Sequence, residues 1–144
     1  MNAVFVDTGG WMACADRADP ACAACSAARD AALEAGRTLI TTDFVIDETL
    51  TLIRFRLGLT AARGWWQQID RSARLRWERV ESDRFERARQ LFFQHRDKDL
   101  SFTDCTSIAV MRELKRTTVI TSDRHFQQMG FEMLPVRRER KPRS

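Results

Sequence analysis

No apolar run in this sequence approaches the ~20 residues that a membrane-spanning helix needs, so no membrane partner is expected. The N-terminal stretch Met1-Asn2-Ala3-Val4-Phe5-Val6-Asp7 lacks the basic segment of a signal peptide and meets an acid at once, which makes a cytoplasmic location the expectation. Cysteine is sparse. Cys22 and Cys25 form a C-x-x-C, but Cys14 and Cys105 stand apart and supply no second pair. A structural zinc site wants two such pairs, so the thiols read as small apolar packing residues. There are two histidines, His95 and His125, both far along the chain. No internal repeat and no linker interrupts residues 1–136, and 144 residues fit one domain.

Hydrophobic residues make up 44% of the chain, enough for a real core. The formal charge is +4, and its location is more informative than its size. Residues 137–144 carry Arg137, Arg138, Arg140, Lys141 and Arg143 against Glu139, which accounts for the whole excess. This segment reads as a basic, disordered tail, serving either solubility or contact with a polyanion. The body is balanced. It holds a basic stretch, Arg54, Arg56, Arg63, Arg71, Arg74, Arg76 and Arg79, with Trp65, Trp66 and Trp77 among it. Such arginines solvate helix faces or line a nucleic-acid groove in which an aromatic ring stacks on a base.

Short apolar runs alternate with helical patterns. Strands are expected at residues 3–6, 38–41, 75–80, 118–121 and 131–134. Helices are expected over 8–35 with a break at Asp19-Pro20 and a stop at Gly36, over 43–57 with a stop at Gly58, and from Thr60 through Ile69. Further helices begin at Ser82, at Ser101 or Thr103, and at Asp123, with Ser82 and Asp43 as expected caps. This order gives an α/β fold, three layers around a mostly parallel sheet of four or five strands.

Four acids stand out on that plan. Asp7 directly follows the first strand, and Asp123 follows a later one by two residues, at the strand ends where open parallel sheets bind ligands. Each also has a helix-capping explanation. Glu48 shares a helix face with Phe44 and Leu52, on a helix whose other residues include Val45, Ile46, Leu50 and Ile53. A carboxylate there is costly unless a cation or donors compensate it. Asp43 and Asp47 are the alternatives on this helix. Asp104 shares a face with Ser107, Ile108 and Met111, its alternative role being a capping box with Ser101. Asp97 and Asp99 read as loop acids, Asp99 as a possible supporting group. Gathered without a cation, the four would repel and some would protonate. A hard divalent ion, Mg²⁺ or Mn²⁺, removes that conflict, since oxygen-only donors favour it over zinc.

The segments Val4-Phe5-Val6-Asp7-Thr8, Asp47-Glu48-Thr49-Leu50, Leu100-Ser101-Phe102-Thr103-Asp104-Cys105 and Ile120-Thr121-Ser122-Asp123-Arg124-His125-Phe126 resemble, in order and spacing, the PIN-domain nucleases. Among these they are similar to the VapC-type ribonuclease toxins. The resemblance spans residues 2 to about 136. It implies Asp7 and Asp104 as principal metal ligands, completed by Glu48 and Asp123, with Thr8, Ser101, Thr103 and Thr121 as polar support. It further implies an RNA substrate, a homodimer and inhibition by a small antitoxin protein. Gly9 stands where the family often has serine and cannot supply that hydroxyl; Cys105 replaces a common alanine. Two other readings stay open: a PIN-fold RNA-processing nuclease that is not a toxin, and a non-catalytic RNA- or protein-binding module.

Overall fold

Ala3–Val6 (β1) is buried at every position, as a strand covered on both faces must be. The computed structural model, which describes residues 2–136, places β1 at the centre of a five-stranded sheet. The other strands are β2 (Thr38–Thr42), β3 (Leu75–Glu78), β4 (Thr118–Ile120) and β5 (Glu132–Leu134). All pairings are parallel, in the order β3-β2-β1-β4-β5. Parallel neighbours require crossover connections. These are supplied by α1 (Thr8–Ala15), α2 (Cys22–Glu34), α3 (Asp43–Leu57), α4 (Leu59–Arg71), α5 (Ser82–Gln94), α6 (Phe102–Glu113) and the short α7 (His125–Gln128). The result is a three-layer α/β/α fold. None of these helices is long and apolar enough to cross a membrane. The basic segment 137–144, expected as a tail, lies outside the described residues.

The topology creates the site. From β1 the chain winds outward through β2 and β3, then returns through α5 and α6 to lay β4 on the other side of β1. That reversal opens a crevice beyond the carboxyl ends of β1 and β4. Asp7 and Asp123 follow those two ends.

The seam between α1 and β4 is unusually close. A Cβ on Gly10 would sit 2.3 Å from the Ile120 carbonyl oxygen and 3.1 Å from Val6 Cγ1. Backbone cannot yield as a flexible side chain does, so only glycine lets the first turn of α1 lie against the strand end. The same carbonyl accepts from the Asp7 N–H at 3.3 Å.

Local details refine the sequence expectations. The break at Asp19-Pro20 separates α1 from α2, and Gly36 and Gly58 follow α2 and α3 at positive φ. Thr42, not Asp43, caps α3: its hydroxyl accepts from the Val45 N–H. Asp43 is the first helical residue and accepts from the Val80 N–H, tying α3 to the end of β3. Ser82 is likewise inside its helix. The cap position is Glu81, with no side-chain cap bond. β3 and β4 end two residues and one residue short of the expected runs, whereas β2 extends one residue further, to Thr42, and β5 starts one residue later.

The Trp65-Trp66 pair divides its work. Trp65 is buried edge-on to Trp11 at 5.8 Å, whereas Trp66 lies edge-on to Trp77 at 5.5 Å. All four cysteines are free. Burial pushes the Cys25 thiol up to about 12 and the Cys105 thiol up to about 11, so both stay protonated packing groups.

Gly10→Ala should destabilise the protein by about 1–3 kcal/mol through overpacking. Gly64→Ala, in mid-α4 with open space around it, should be neutral or stabilising by about 0.5–1 kcal/mol. Urea denaturation of both variants tests the seam; equal effects would remove it.

Candidate active site

The first turn after β1 must satisfy the open N–H groups of α1. Asp7 does this as N-cap: its Oδ1 accepts from the Gly10 N–H at 2.7 Å. Its Oδ2 accepts from the Thr121 hydroxyl at 2.8 Å, across 114 residues of sequence. Thr121 sits just past β4 and in turn accepts from the Asp123 N–H at 2.9 Å. One threonine therefore sets both the first and the last acid.

Asp104 is the third residue of α6 and forms a full capping box with Ser101. Its Oδ2 accepts from the Ser101 N–H at 3.1 Å, and the Ser101 hydroxyl accepts from the Asp104 N–H at 3.0 Å. Capping and site membership are thus not alternatives for Asp7 and Asp104. Each carboxylate does both, because a helix start is aimed at the crevice. Glu48 enters from the middle of α3, half-buried.

Asp7, Glu48, Asp104 and Asp123 line one open pocket of about 260 Å³, together with Thr8 and Ser101. Thr121 lies beneath, buried. Thr103 does not reach the pocket; in the first turn of α6 its carbonyl accepts from the Thr106 hydroxyl. Asp97 and Asp99 lie outside the pocket lining, on the loop before α6. A second pocket of about 220 Å³, between Trp11, Leu33 and Trp65, is lined by no carboxylate.

The electrostatics follow from burial. Asp7 is 3% exposed. Loss of solvent pushes its carboxyl up to about 7, against the two hydrogen bonds that favour the anion; the charges of Asp104 and Asp123 push the same way as burial. Asp104 is also raised, first by burial, then by Asp123 and Glu48, with the Ser101 hydrogen bonds opposing. No salt bridge reaches Asp7 among the described residues.

The donor set fits a hydrated hard cation. Asp104, Asp123 and His125 each offer one ligand atom, and the three atoms lie within 4.8 Å of one another. Two buried side-chain polar atoms lack a hydrogen-bond partner among the described residues, Thr8 Oγ1 and His125 Nδ1. Thr8 lines the acid pocket, and His125 Nδ1 stands 2.8 Å from Asp123 Oδ1 without hydrogen-bond geometry to it. Clustered oxygen donors that repel one another, with the unpartnered Thr8 hydroxyl beside them, suit a hydrated divalent ion.

Residues 4–132 match the PIN domain family. The chain belongs to the PIN-domain family. A relative from Mycobacterium tuberculosis, the 23S rRNA-specific endonuclease VapC20, is 32% identical over 128 residues, 89% of this chain and 95% of its own. The crystal structure of that VapC20, described as a sarcin-ricin loop cleaving toxin, superposes with a TM-score of 0.79 at 31% identity, covering 89% of this chain and 95% of the other. FitAcB from Neisseria gonorrhoeae shares the fold, with a TM-score of 0.61 at 13% identity over 91% and 96% of the two chains.

Three polar pocket members were not among the acids and supporting residues expected from this PIN domain's sequence, although Arg56 belonged to the basic stretch read as a candidate groove lining. Asp19 comes in from the α1–α2 loop, held by its bond from the Ala21 N–H; its place before Pro20 had marked only a helix break. Arg56 lies about two helical turns further along α3 from Glu48. Ser122 stands over Gly9: a Cβ on Gly9 would be 3.2 Å from Ser122 Oγ and 3.5 Å from Asp7 Oδ1. The hydroxyl missing at position 9 is thus replaced in space by one from the β4 side.

A folded-state carboxyl raised above its unfolded value of 3.8 stabilises the protein only while it is protonated. Its contribution is complete below pH ~4 and disappears as pH rises through about 7. In EDTA, the wild-type Tm should therefore fall between about pH 4 and 7, and Asp7→Asn should flatten that part of the slope. Parallel slopes for the two proteins would contradict the assignment.

Proposed function

We propose that this PIN domain is a metal-dependent endoribonuclease, acting in the cytoplasm as the toxin of a toxin–antitoxin pair. The observation that carries the reading is the convergence of Asp7, Glu48, Asp104 and Asp123 on one pocket at the switch point of the sheet, where among the described residues no arginine or lysine forms an ion pair with any of the four. The similarity to VapC20 over nearly the whole chain supports RNA as substrate and the toxin role.

In this reading Asp7, Glu48, Asp104 and Asp123 hold Mg²⁺ or Mn²⁺. When bound, the ion supplies Lewis-acid polarisation of a phosphate oxygen and a lowered pKa for water. The chain's own residues do the rest. The Gly10 N–H and Thr121 hydroxyl occupy one lone pair on each Asp7 oxygen and fix the carboxylate's direction. The capping box fixes Asp104 in the same way, leaving its Oδ1 free. Thr8, with its hydroxyl unclaimed by protein, is placed to orient water in the pocket. The reaction is phosphodiester hydrolysis: an oxygen of water bonds to phosphorus and the bond to the leaving ribose oxygen breaks. The carboxylates that line the pocket are its available proton acceptors. A cognate antitoxin protein and a homodimeric assembly complete the proposal.

Purified protein should cleave total cellular RNA in Mg²⁺ or Mn²⁺, and EDTA should stop it. Asp7→Asn and Asp104→Asn should reduce cleavage to background while retaining the fold by circular dichroism. Thr121→Val should lower activity by about 10–100-fold, as loss of a ligand-orienting group does. Mapping the new RNA ends identifies the target. Full activity in Asp104→Asn, or in EDTA, would overturn the metal site.

A further inference from the structure

The acid pocket does not end at Glu48. Leu52 and Arg56, four and eight residues further along α3, also line it. Helical spacing puts Glu48, Leu52, Phe55 and Arg56 on one face. Between them the character of that face changes from anionic to cationic and aromatic over the last two turns.

Phe55 is 82% exposed, the highest exposure of any large apolar side chain among the described residues. It is flanked by Arg54 and Arg56, both exposed. Arg56 makes no hydrogen bond or ion pair with any described residue, although carboxylates line the same pocket. The protein thus keeps an unspent guanidinium at the lip of its reaction pocket and an unburied ring beside it.

Neither feature is explained by the fold. Phe55 takes no part in the core, whereas Ile53, two residues earlier, is fully buried. Neither is explained by the metal, which a guanidinium repels. Both match what an RNA strand offers as it leaves the pocket: phosphates for Arg56, and a base face for Phe55. With a rise of ~1.5 Å per residue, Phe55 and Arg56 lie ~10–12 Å along the axis from Glu48. That places them within reach of nucleotides next to the one being cleaved.

We propose that the C-terminal end of α3 is the RNA-positioning ledge of the enzyme: Phe55 stacks on a base flanking the scissile bond, and Arg56 pairs with a neighbouring phosphate. The proposal rests on the ribonuclease reading above. It commits the exposed apolar end of α3 to single-stranded RNA, not to a second copy of the chain, because the patch continues directly from the acid pocket and is flanked by cations.

The test compares wild type, Phe55→Ala, Arg56→Gln and Arg56→Lys. Steady-state cleavage of a single-stranded RNA oligonucleotide in Mn²⁺ should show KM raised about tenfold in Phe55→Ala and in Arg56→Gln, with kcat within about twofold. In the cleavage-dead Asp104→Asn background, fluorescence anisotropy with the same labelled RNA should show the matching loss of affinity. Arg56→Gln should also flatten the slope of log affinity against log salt by about 0.7, the value for one phosphate contact on a single strand. Phe55→Ala should leave that slope unchanged, and Arg56→Lys should restore it. Tm and molar mass by light scattering should match wild type in all variants. Wild-type KM and salt slope in Arg56→Gln and Phe55→Ala, with wild-type cleavage intact, would overturn the ledge alone. Loss of a dimer in Phe55→Ala would reassign the patch to self-association. Absence of metal-dependent cleavage by the wild type would remove the ribonuclease reading and this inference with it.

Discussion

A carboxylate held out of water without a counter-charge is the constraint around which this molecule is arranged. Asp7 sits where β1 hands over to α1, with the carboxyl ends of two adjacent strands on either side. Keeping it there takes the closeness of Gly10 to the strand end, the bond from Thr121 and the reversal of winding that sets β4 beside β1. Each of these features is costly or restrictive by itself. Together they build a negative pocket whose repulsion a bound cation or protonation relieves.

The treatment of another buried acid in the same chain sharpens the point. Glu78, at the end of β3, is as buried as many core residues, yet Arg84 bonds its Oε2 at 2.8 Å and also grips Glu113. That network joins β3, α5 and α6, and its charges are met internally. The protein evidently can neutralise a buried carboxylate with its own arginine. Among the described residues, no arginine pairs with the acids at the switch point, and Arg56 stays close without pairing. The difference sets the internally paired Glu78 apart from the acids of the pocket.

Much of this was legible from residue order. Apolar runs of strand length and the glycine stops located the strands and helices because burial and backbone conformation are local demands. Glu48 was identifiable from its neighbours on α3, since a carboxylate among apolar residues needs a partner. Asp7 and Asp104 were harder, for capping residues and pocket acids are of the same types at the same positions, and here each carboxylate both caps a helix and lines the pocket. Asp19 and Ser122 were not legible as site members, and Arg56 only as one of several arginines that could line a groove. Their membership depends on how far a loop folds back, on where the last turn of α3 projects, and on a side chain from β4 filling the space above Gly9. The expected caps at Asp43 and Ser82 failed because each sits one residue inside its helix, a shift that composition does not resolve.

The pocket's donors are spread along the chain, and their sequence order has a consequence for biosynthesis. A nascent polypeptide extended only through α6 already carries Asp7, Glu48 and Asp104. It lacks β4, and with β4 it lacks Thr121, Asp123 and the carbonyl against which the start of α1 closes. Incomplete chains on the ribosome therefore lack these contacts, and the pocket can close only once synthesis has passed that strand.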